Sequence, residues 1–253
     1  MITLKDFSAG YYGRRTVSIE DLSFPDGSIT CILGENGSGK STLLKSLVGI
    51  IPYLGSARAD GKEISSMSSR ARAQVIGFMP QNLMASDMLV CTLMEHGRFS
   101  RLGLSKVLGQ KDREAVERAL SLTGMEELAE RKVRTLSGGE RQRAYLAMVM
   151  AQDPQTLLLD EPMASMDIGH QLLILDILKA LKKDGHSLVI TSHDLPQAFT
   201  IADQICLIRE GSLLAAAAPQ TLLQEPDLLR SCMGAGLVPL DVPGAVYPYT
   251  IIK

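Results

Sequence analysis

No stretch of this sequence comes near the roughly 18 uninterrupted apolar residues that a membrane-spanning helix needs, so the chain is expected to reach a membrane only through a partner. An excess of charge of one sign is lacking too. The 26 Lys and Arg stand against 28 Asp and Glu, a formal net charge of −2, and no global basic surface is left to ask for nucleic acid. The four cysteines, Cys31, Cys91, Cys206 and Cys232, include no CxxC pair. Two of them fall in apolar runs, "SITCIL" and "QICLI", and read as core packing in a reducing compartment rather than as metal ligands or disulfides. The opening "MITLKDFSAG" has no apolar core of signal-peptide length, which adds to the expectation of a soluble, cytosolic protein. Heptads, internal repeats and low-complexity segments are missing as well. What remains, 45% hydrophobic and 21% charged, is the composition of an ordinary globular chain.

Two glycine motifs stand out. "GENGSGKS", residues 34–41, fits G-x-x-x-x-G-K-[ST] through Gly34, Gly39, Lys40 and Ser41. It follows "SITCIL", a nearly continuous apolar run of the kind a doubly buried strand shows. It precedes "KSTLLKSLVGII", where Leu43, Leu44, Leu47, Val48 and Ile51 recur at helical spacing and Gly49 lies near the end. In a strand–loop–helix of this kind the loop N–H groups wrap phosphates, Lys40 bridges the β- and γ-phosphates, and the Ser41 hydroxyl coordinates Mg²⁺. The nucleotide-binding candidates along it are Gly34, Asn36, Gly37, Ser38, Gly39, Lys40, Ser41 and Thr42. About a hundred residues later, "LSGGERQ" (136–142) puts Ser137, Gly138 and Gly139 at the start of a helix-like run, a second arrangement suited to an anion.

Acidic and polar groups follow buried strands. "TLLLD" (156–160), a helix over about 168–183 ending near Gly185, and "SLVIT" (187–191) make a βαβ unit. Asp160 and Glu161 therefore emerge at a strand's carboxyl end, where open α/β sheets bind ligands. Asp160 is placed to reach a metal through water, and Glu161 to take a proton from an attacking water. His193 follows the second strand and is read as a γ-phosphate contact. Gln81, after the expected strand "QVIGFMP", is read as reaching the metal or the water. "GYYG" sets aromatics on an early loop; Tyr11 is the candidate to stack on adenine, with Tyr12 open as the alternative. Residues 88–150 lose strand signals and read as an inserted helical segment. In it "DREAVERALSLTG" carries Val116, Leu120 and Thr123 on one face and Gly124 as a stop. "QICLIREGSLLAA" reads as a hairpin turning at Glu210-Gly211. The Pro- and Gly-rich tail "GAGLVPLDVPGAVYPYTIIK" carries little signal.

With these motifs in order, the chain resembles an ATP-binding cassette (ABC) ATPase subunit along nearly its whole length. The resemblance implies an α/β P-loop NTPase fold with a RecA-like core sheet, an N-terminal antiparallel β subdomain and an inserted α-helical subdomain. The implied boundaries are 1–87 and 152–235 for the core, 88–151 for the helical signature subdomain and 236–253 for a tail. It implies ATP and Mg²⁺ as ligands. It also implies a head-to-tail pair in which Ser137, Gly138 and Gly139 complete the site of a second copy, and it counts Asp167, which ends the "SMD" loop, among the nucleotide-binding residues. The segments "DIGHQLLILDIL" and "MEHGRFSRLG" resemble importers of iron chelates, haem and cobalamin. Such a cassette lies peripherally on the cytoplasmic face of the membrane, bound to permease subunits and served indirectly by an external solute-binding protein. Two departures are Met163 and Met166 in "MASMD", where the family usually has Thr and Leu, and the Thr and Ser before His193. ABC ATPases of other transporter classes, or without transport, are the alternative. The second kind usually shows a tandem cassette, a coiled-coil arm or a metal-binding insertion, and this chain has one motif set with no heptads and no cysteine cluster.

Overall fold

The first 33 residues form, in a computed structural model, the strands β1 (Ile2–Tyr11), β2 (Arg14–Phe24) and β3 (Ile29–Leu33). The structure describes residues 1–253 apart from 12, 104–106, 165, 243–244 and 253. Then come α1 (Lys40–Leu47), β4 (Tyr53–Ala59), β5 (Lys62–Glu63), α2 (Ser69–Val75), β6 (Ile76–Met79), α3 (Val90–Gly97), α4 (Gln110–Thr123) and α5 (Gly138–Gln152). They are followed by β7 (Thr156–Asp160), α6 (Ile168–Lys183), β8 (Ser187–Ser192), α7 (Leu195–Ile201), β9 (Gln204–Arg209) and β10 (Ser212–Ala217). Last come α8 (Pro219–Leu222), α9 (Pro226–Met233), β11 (Gly236–Pro239) and β12 (Tyr249–Ile252). Among the described residues no helix is long and apolar enough to cross a membrane. The four cysteines are free thiols, and Cys31, Cys206 and Cys232 are buried, as the apolar runs around the first two imply.

The chain forms two compact units, residues 1–66 with 187–253, and residues 67–186. In the first unit the strands lie in the order β5-β4-β1-β2-β10-β9-β3-β8. β1 runs antiparallel to both β2 and β4, while β3 runs parallel to both β8 and β9. Every residue of β3 and of β8 is buried, which is why both read as apolar runs without alternation. The β9–β10 hairpin turns at Glu210 (φ 49°) and Gly211 (φ 80°). Positive φ at both central residues is the type I′ geometry that matches strand twist. Helix α1 is shorter than its periodicity suggests. Gly49, at φ 75°, donates to the Ser46 carbonyl (3.0 Å), and the Ile50 N–H donates to the Lys45 carbonyl (2.9 Å), the paired bonds of a Schellman stop. Ile51 is nonetheless buried, from the loop rather than from the helix. The tail also has structure: β11 and β12 pair antiparallel from Gly236↔Ile252 to Pro239↔Tyr249.

In the second unit β6 and β7 pair in parallel, with Met79 opposite Leu159. The expected strand "QVIGFMP" begins two residues late, because Gln74 and Val75 belong to α2. The Ser68 hydroxyl caps the start of that helix by accepting from the Ala71 N–H at 3.2 Å. Helices α3, α4 and α5 enclose a core that includes Val90, Met94, Val116, Ala119, Val133 and Ala147. Thr123 is fully buried, and Gly124 ends α4 at φ 60°, where the stop is expected.

Arg98 is driven into this helical packing. Its Nε lies 2.9 Å from Asp112 Oδ1, and its Nη1 donates to the Ala151 carbonyl at 2.7 Å. The side chain is only 7% exposed. Arg98→Ala is expected to destabilise the chain by about 3–5 kcal/mol, since it leaves a carboxylate and a carbonyl in the packing without their cation. Chemical denaturation of the two proteins measures it, and a loss below about 1 kcal/mol, the level of an exposed pair, would contradict the role given to Arg98.

Candidate functional site

The phosphate loop is built where β3 runs into α1. Leu33 pairs with Ser192 across the parallel β3–β8 ladder, so Gly34 and His193 leave the same carboxyl edge in adjacent strands. His193 is exposed there, and the cap of the following helix is Asp194, whose Oδ1 accepts from the Gln197 N–H at 2.9 Å. A Cβ at Gly34 would stand 2.2 Å from the Ile208 carbonyl oxygen and 2.6 Å from Ser38 Oγ. At Gly39, φ 103°, it would stand 2.8 Å from the Thr16 oxygen. The two motif glycines are thus required by close backbone approach. Lys40 is 5% exposed, and its Nζ donates to the Gly34 and Glu35 carbonyls at 2.6 and 3.0 Å. Its ammonium is held inside the curve of the loop. Among the described residues no side chain caps α1 and none bonds the buried Ser38 Oγ. A partnerless buried hydroxyl beside an uncapped helix start suits an anionic ligand. Asn36 and Gly37 are exposed at the rim, Ser41 is half-buried and Thr42 is buried. Tyr11, expected on a loop, is instead the last residue of β1 and pairs with Arg14, because the turn between the strands is short. Tyr12 lies outside the described residues.

The second unit holds the acidic groups. Asp160 ends β7 and is 1% exposed. Glu161 follows at φ 52°, in a region that residues with a Cβ rarely occupy. The β6–β7 register brings Gln81 alongside, and its Nε2 donates to Glu161 Oε2 at 3.0 Å. The Glu161 carbonyl accepts from Gln142 Nε2 and from the Ala164 N–H, both at 3.2 Å. Hydrogen bonds at both ends of the residue thus over-determine its strained backbone.

The "LSGG" turn opens α5. Ser137 is its N-cap: Ser137 Oγ accepts from the Glu140 N–H at 3.3 Å, and the Ser137 N–H donates to Glu140 Oε2 at 2.7 Å. This reciprocal capping box holds the Glu140 carboxyl below the usual carboxylate range, the Ser137 backbone N–H being the main cause. The box therefore adds stability above that range and loses it as the pH falls into acid. Gly138 is exposed and Gly139 half-buried. Asp167 caps α6, accepting from the His170 N–H at 2.9 Å and from His170 Nδ1 at 2.8 Å. Those bonds, the backbone one first, lower the Asp167 pKa. Ser165 of the "SMD" loop lies outside the described residues.

Comparison with known proteins now decides the family. The family model described as "ABC transporter" matches residues 18–164. The chain is 38% identical to the ferric enterobactin transport ATP-binding protein FepC of Escherichia coli (strain K12), over 95% of this chain and 90% of that protein. The chain belongs to the ABC transporter family. It is also 40% identical to the petrobactin import ATP-binding protein FpuD of Bacillus anthracis, over 85% of this chain and 80% of the other. Its fold is that of an ABC cassette: a nucleotide-free ATP-binding cassette from an ABC transporter superposes with a TM-score of 0.79 at 21% identity, over 90% of this chain and 97% of the other.

Oxygen donors suited to Mg²⁺ occur in each of the two units. Among the described residues no cluster of three or more His, Cys, Asp or Glu could hold a metal. The oxygen donors are the Ser41 hydroxyl in the first unit and the Asp160 carboxylate and Gln81 amide in the second, and a magnesium ion held mainly by phosphates and water needs only one or two protein ligands. Sequence reading assigned no role to Gln142 or His170, although both stand inside motifs it quoted. Gln142 closes "LSGGERQ", and His170 lies in "DIGHQLLILDIL".

Proposed function

We propose that this chain is the ATP-hydrolysing subunit of an importer for an iron chelate, haem or cobalamin, working as a head-to-tail pair of copies on a membrane permease. The observation that carries hydrolysis, beyond nucleotide binding, is the 3.0 Å hydrogen bond from Gln81 to Glu161, which joins a water-orienting amide to a proton-accepting carboxylate. The importer branch draws its support from relatives whose names specify ferric enterobactin and petrobactin. On this reading residues 1–253 form one ABC domain, with 88–151 as the signature subdomain and 236–253 as a tail. The cassette sits peripherally on the cytoplasmic face of the membrane, and the solute meets only the permease and an external binding protein.

Tyr11 stacks on the adenine, and the N–H groups of residues 34–42 wrap the phosphates. Lys40 holds the β- and γ-phosphates, and His193 holds the γ-phosphate from the neighbouring strand. Ser41, Asp160 through water, and Gln81 would hold Mg²⁺, which when bound supplies positive charge against the phosphate oxygens. Gln81 orients a water and Glu161 takes its proton as the water oxygen bonds to the γ-phosphorus. The bond from that phosphorus to the bridging oxygen breaks, and its electrons leave with ADP. Ser137, Gly138 and Gly139 of the second copy close over the far side of the γ-phosphate, where developing charge is otherwise left to water. Closure thereby ties ATP binding to a rigid-body motion that a permease can use.

The test uses Glu161→Gln as an ATP-locked bait in detergent-solubilised membranes of the native host. Mass spectrometry of the captured proteins is expected to find a polytopic permease of the iron-chelate and cobalamin type. Recovery of soluble proteins alone, with ATP-dependent dimerisation intact, would overturn the transport reading.

A further inference from the structure

Two side chains tie the first turns of α5 to the loop after β7 and to the start of α6 that follows it, and neither takes part in the chemistry above. Gln142 donates its Nε2 to the Glu161 carbonyl at 3.2 Å. His170 covers Gly139: a Cβ built there would lie 3.0 Å from the ring Cδ2, 3.1 Å from Cγ and 3.3 Å from Nε2. The ring cannot swing away freely, because Asp167 accepts from both its Nδ1 and its backbone N–H. The two contacts are independent, one a hydrogen bond to backbone and one a packing contact. Both end on backbone with little freedom. Glu161 sits at φ 52°, and its carbonyl also accepts from Ala164. A side chain at Gly139 would press on the imidazole and force it to give way. A displacement of the Ser137–Gly139 turn relative to Glu161 must therefore break the Gln142 bond, open the ring contact, or drag the loop along.

We propose that Gln142 and His170 are positioning residues that join the signature turn to the general base of the same chain, so that an anion engaging Ser137–Gly139 fixes the backbone at Glu161. This rests on the head-to-tail reading. There the turn serves the nucleotide of the second copy while Glu161 serves the chain's own, and the two contacts link one site to the other. Each base is then well placed only when the opposite site is filled, which makes turnover depend cooperatively on ATP.

The experiment uses the full chain. Glu161→Gln is first examined for ATP-dependent dimerisation by light scattering. ATPase rates against ATP concentration are then compared for the wild type, Gln142→Met, His170→Ala and His170→Asn. Gln142→Met keeps the length of the side chain and removes the donor. His170→Asn keeps an amide to bond Asp167 and removes the ring over Gly139. The wild type is expected to respond sigmoidally. All three variants are expected to lose the sigmoid and to fall about tenfold in kcat, a part of the 10²–10⁴-fold that a well-placed general base contributes. Labelled-nucleotide affinity and thermal melting are expected to stay unchanged. Variants that melt earlier while keeping the wild-type sigmoid would mark the contacts as structural only and overturn the proposal. So would a hyperbolic wild type, or wild-type kinetics in the variants, with the dimer intact. Absence of the dimer would instead remove the pairing reading itself, and the coupling with it.

Discussion

Glu161→Gln is expected to bind ATP as tightly as the wild type, to dimerise stably on it, and to lose turnover about 10²–10⁴-fold, the range a positioned general base contributes. The substitution is close to isosteric. Gln81 donates to Glu161 Oε2, and the oxygen of the introduced amide can accept the same bond. The hydrogen bonds from Gln142 Nε2 and the Ala164 N–H end on the Glu161 carbonyl, which the change does not touch, so φ 52° at this residue is still held. What disappears is the carboxylate proposed as proton acceptor, the one that Gln81 bonds. Phosphate release in steady state measures the loss, and gel filtration with and without MgATP measures the dimer. Wild-type turnover would show that another group is the base. Lost nucleotide binding would mean that Glu161 builds the site rather than acting in it.

The parts of this site that were legible in the sequence are those written in short-range spacing. Gly34, Gly39, Lys40 and Ser41 are readable because close backbone approach excludes any Cβ at Gly34 and Gly39, leaving a fixed spacing between a strand and a helix. β7 runs over Thr156–Asp160 as expected, because a doubly buried strand must be apolar and the first carboxylates mark where it reaches a carboxyl edge. The hairpin at Glu210-Gly211 is readable because few residue pairs tolerate positive φ in succession. Other features depend on chain segments that meet only after folding. The apolar spacing of Val48 and Ile51 continues past the end of α1, since a residue can be buried from a loop as well as from a helix. The β11–β12 ribbon is hidden in a tail whose Pro and Gly mask its strand pattern. Gln142 touches Glu161, and His170 touches Gly139, across distances in sequence that no local period encodes.

Lys40→Ala is expected to weaken nucleotide binding about 10–100-fold. A hydrogen bond to a charged group contributes about 1.5–3 kcal/mol, and each 1.4 kcal/mol is tenfold in affinity. The geometry says why no neighbour can substitute. Lys40 is 5% exposed, so its charge is poorly screened, and its Nζ already bonds the Gly34 and Glu35 carbonyls. The ammonium thus shapes the loop and supplies its positive charge from the same place. Ala removes both, leaving the loop carbonyls of residues 34 and 35 without this donor. Lys40→Arg tests the two contributions apart. It keeps the charge, but a planar guanidinium does not fit where a compact ammonium reaches two carbonyls from a buried position, so it too is expected to bind poorly. Titration with a fluorescent ATP analogue measures affinity, and circular dichroism checks that each variant is folded. Normal affinity in a folded Lys40→Ala protein would overturn the phosphate role of the loop. Normal affinity in Lys40→Arg alone would show that charge, rather than the fit of the ammonium beneath Gly34, is what the nucleotide requires.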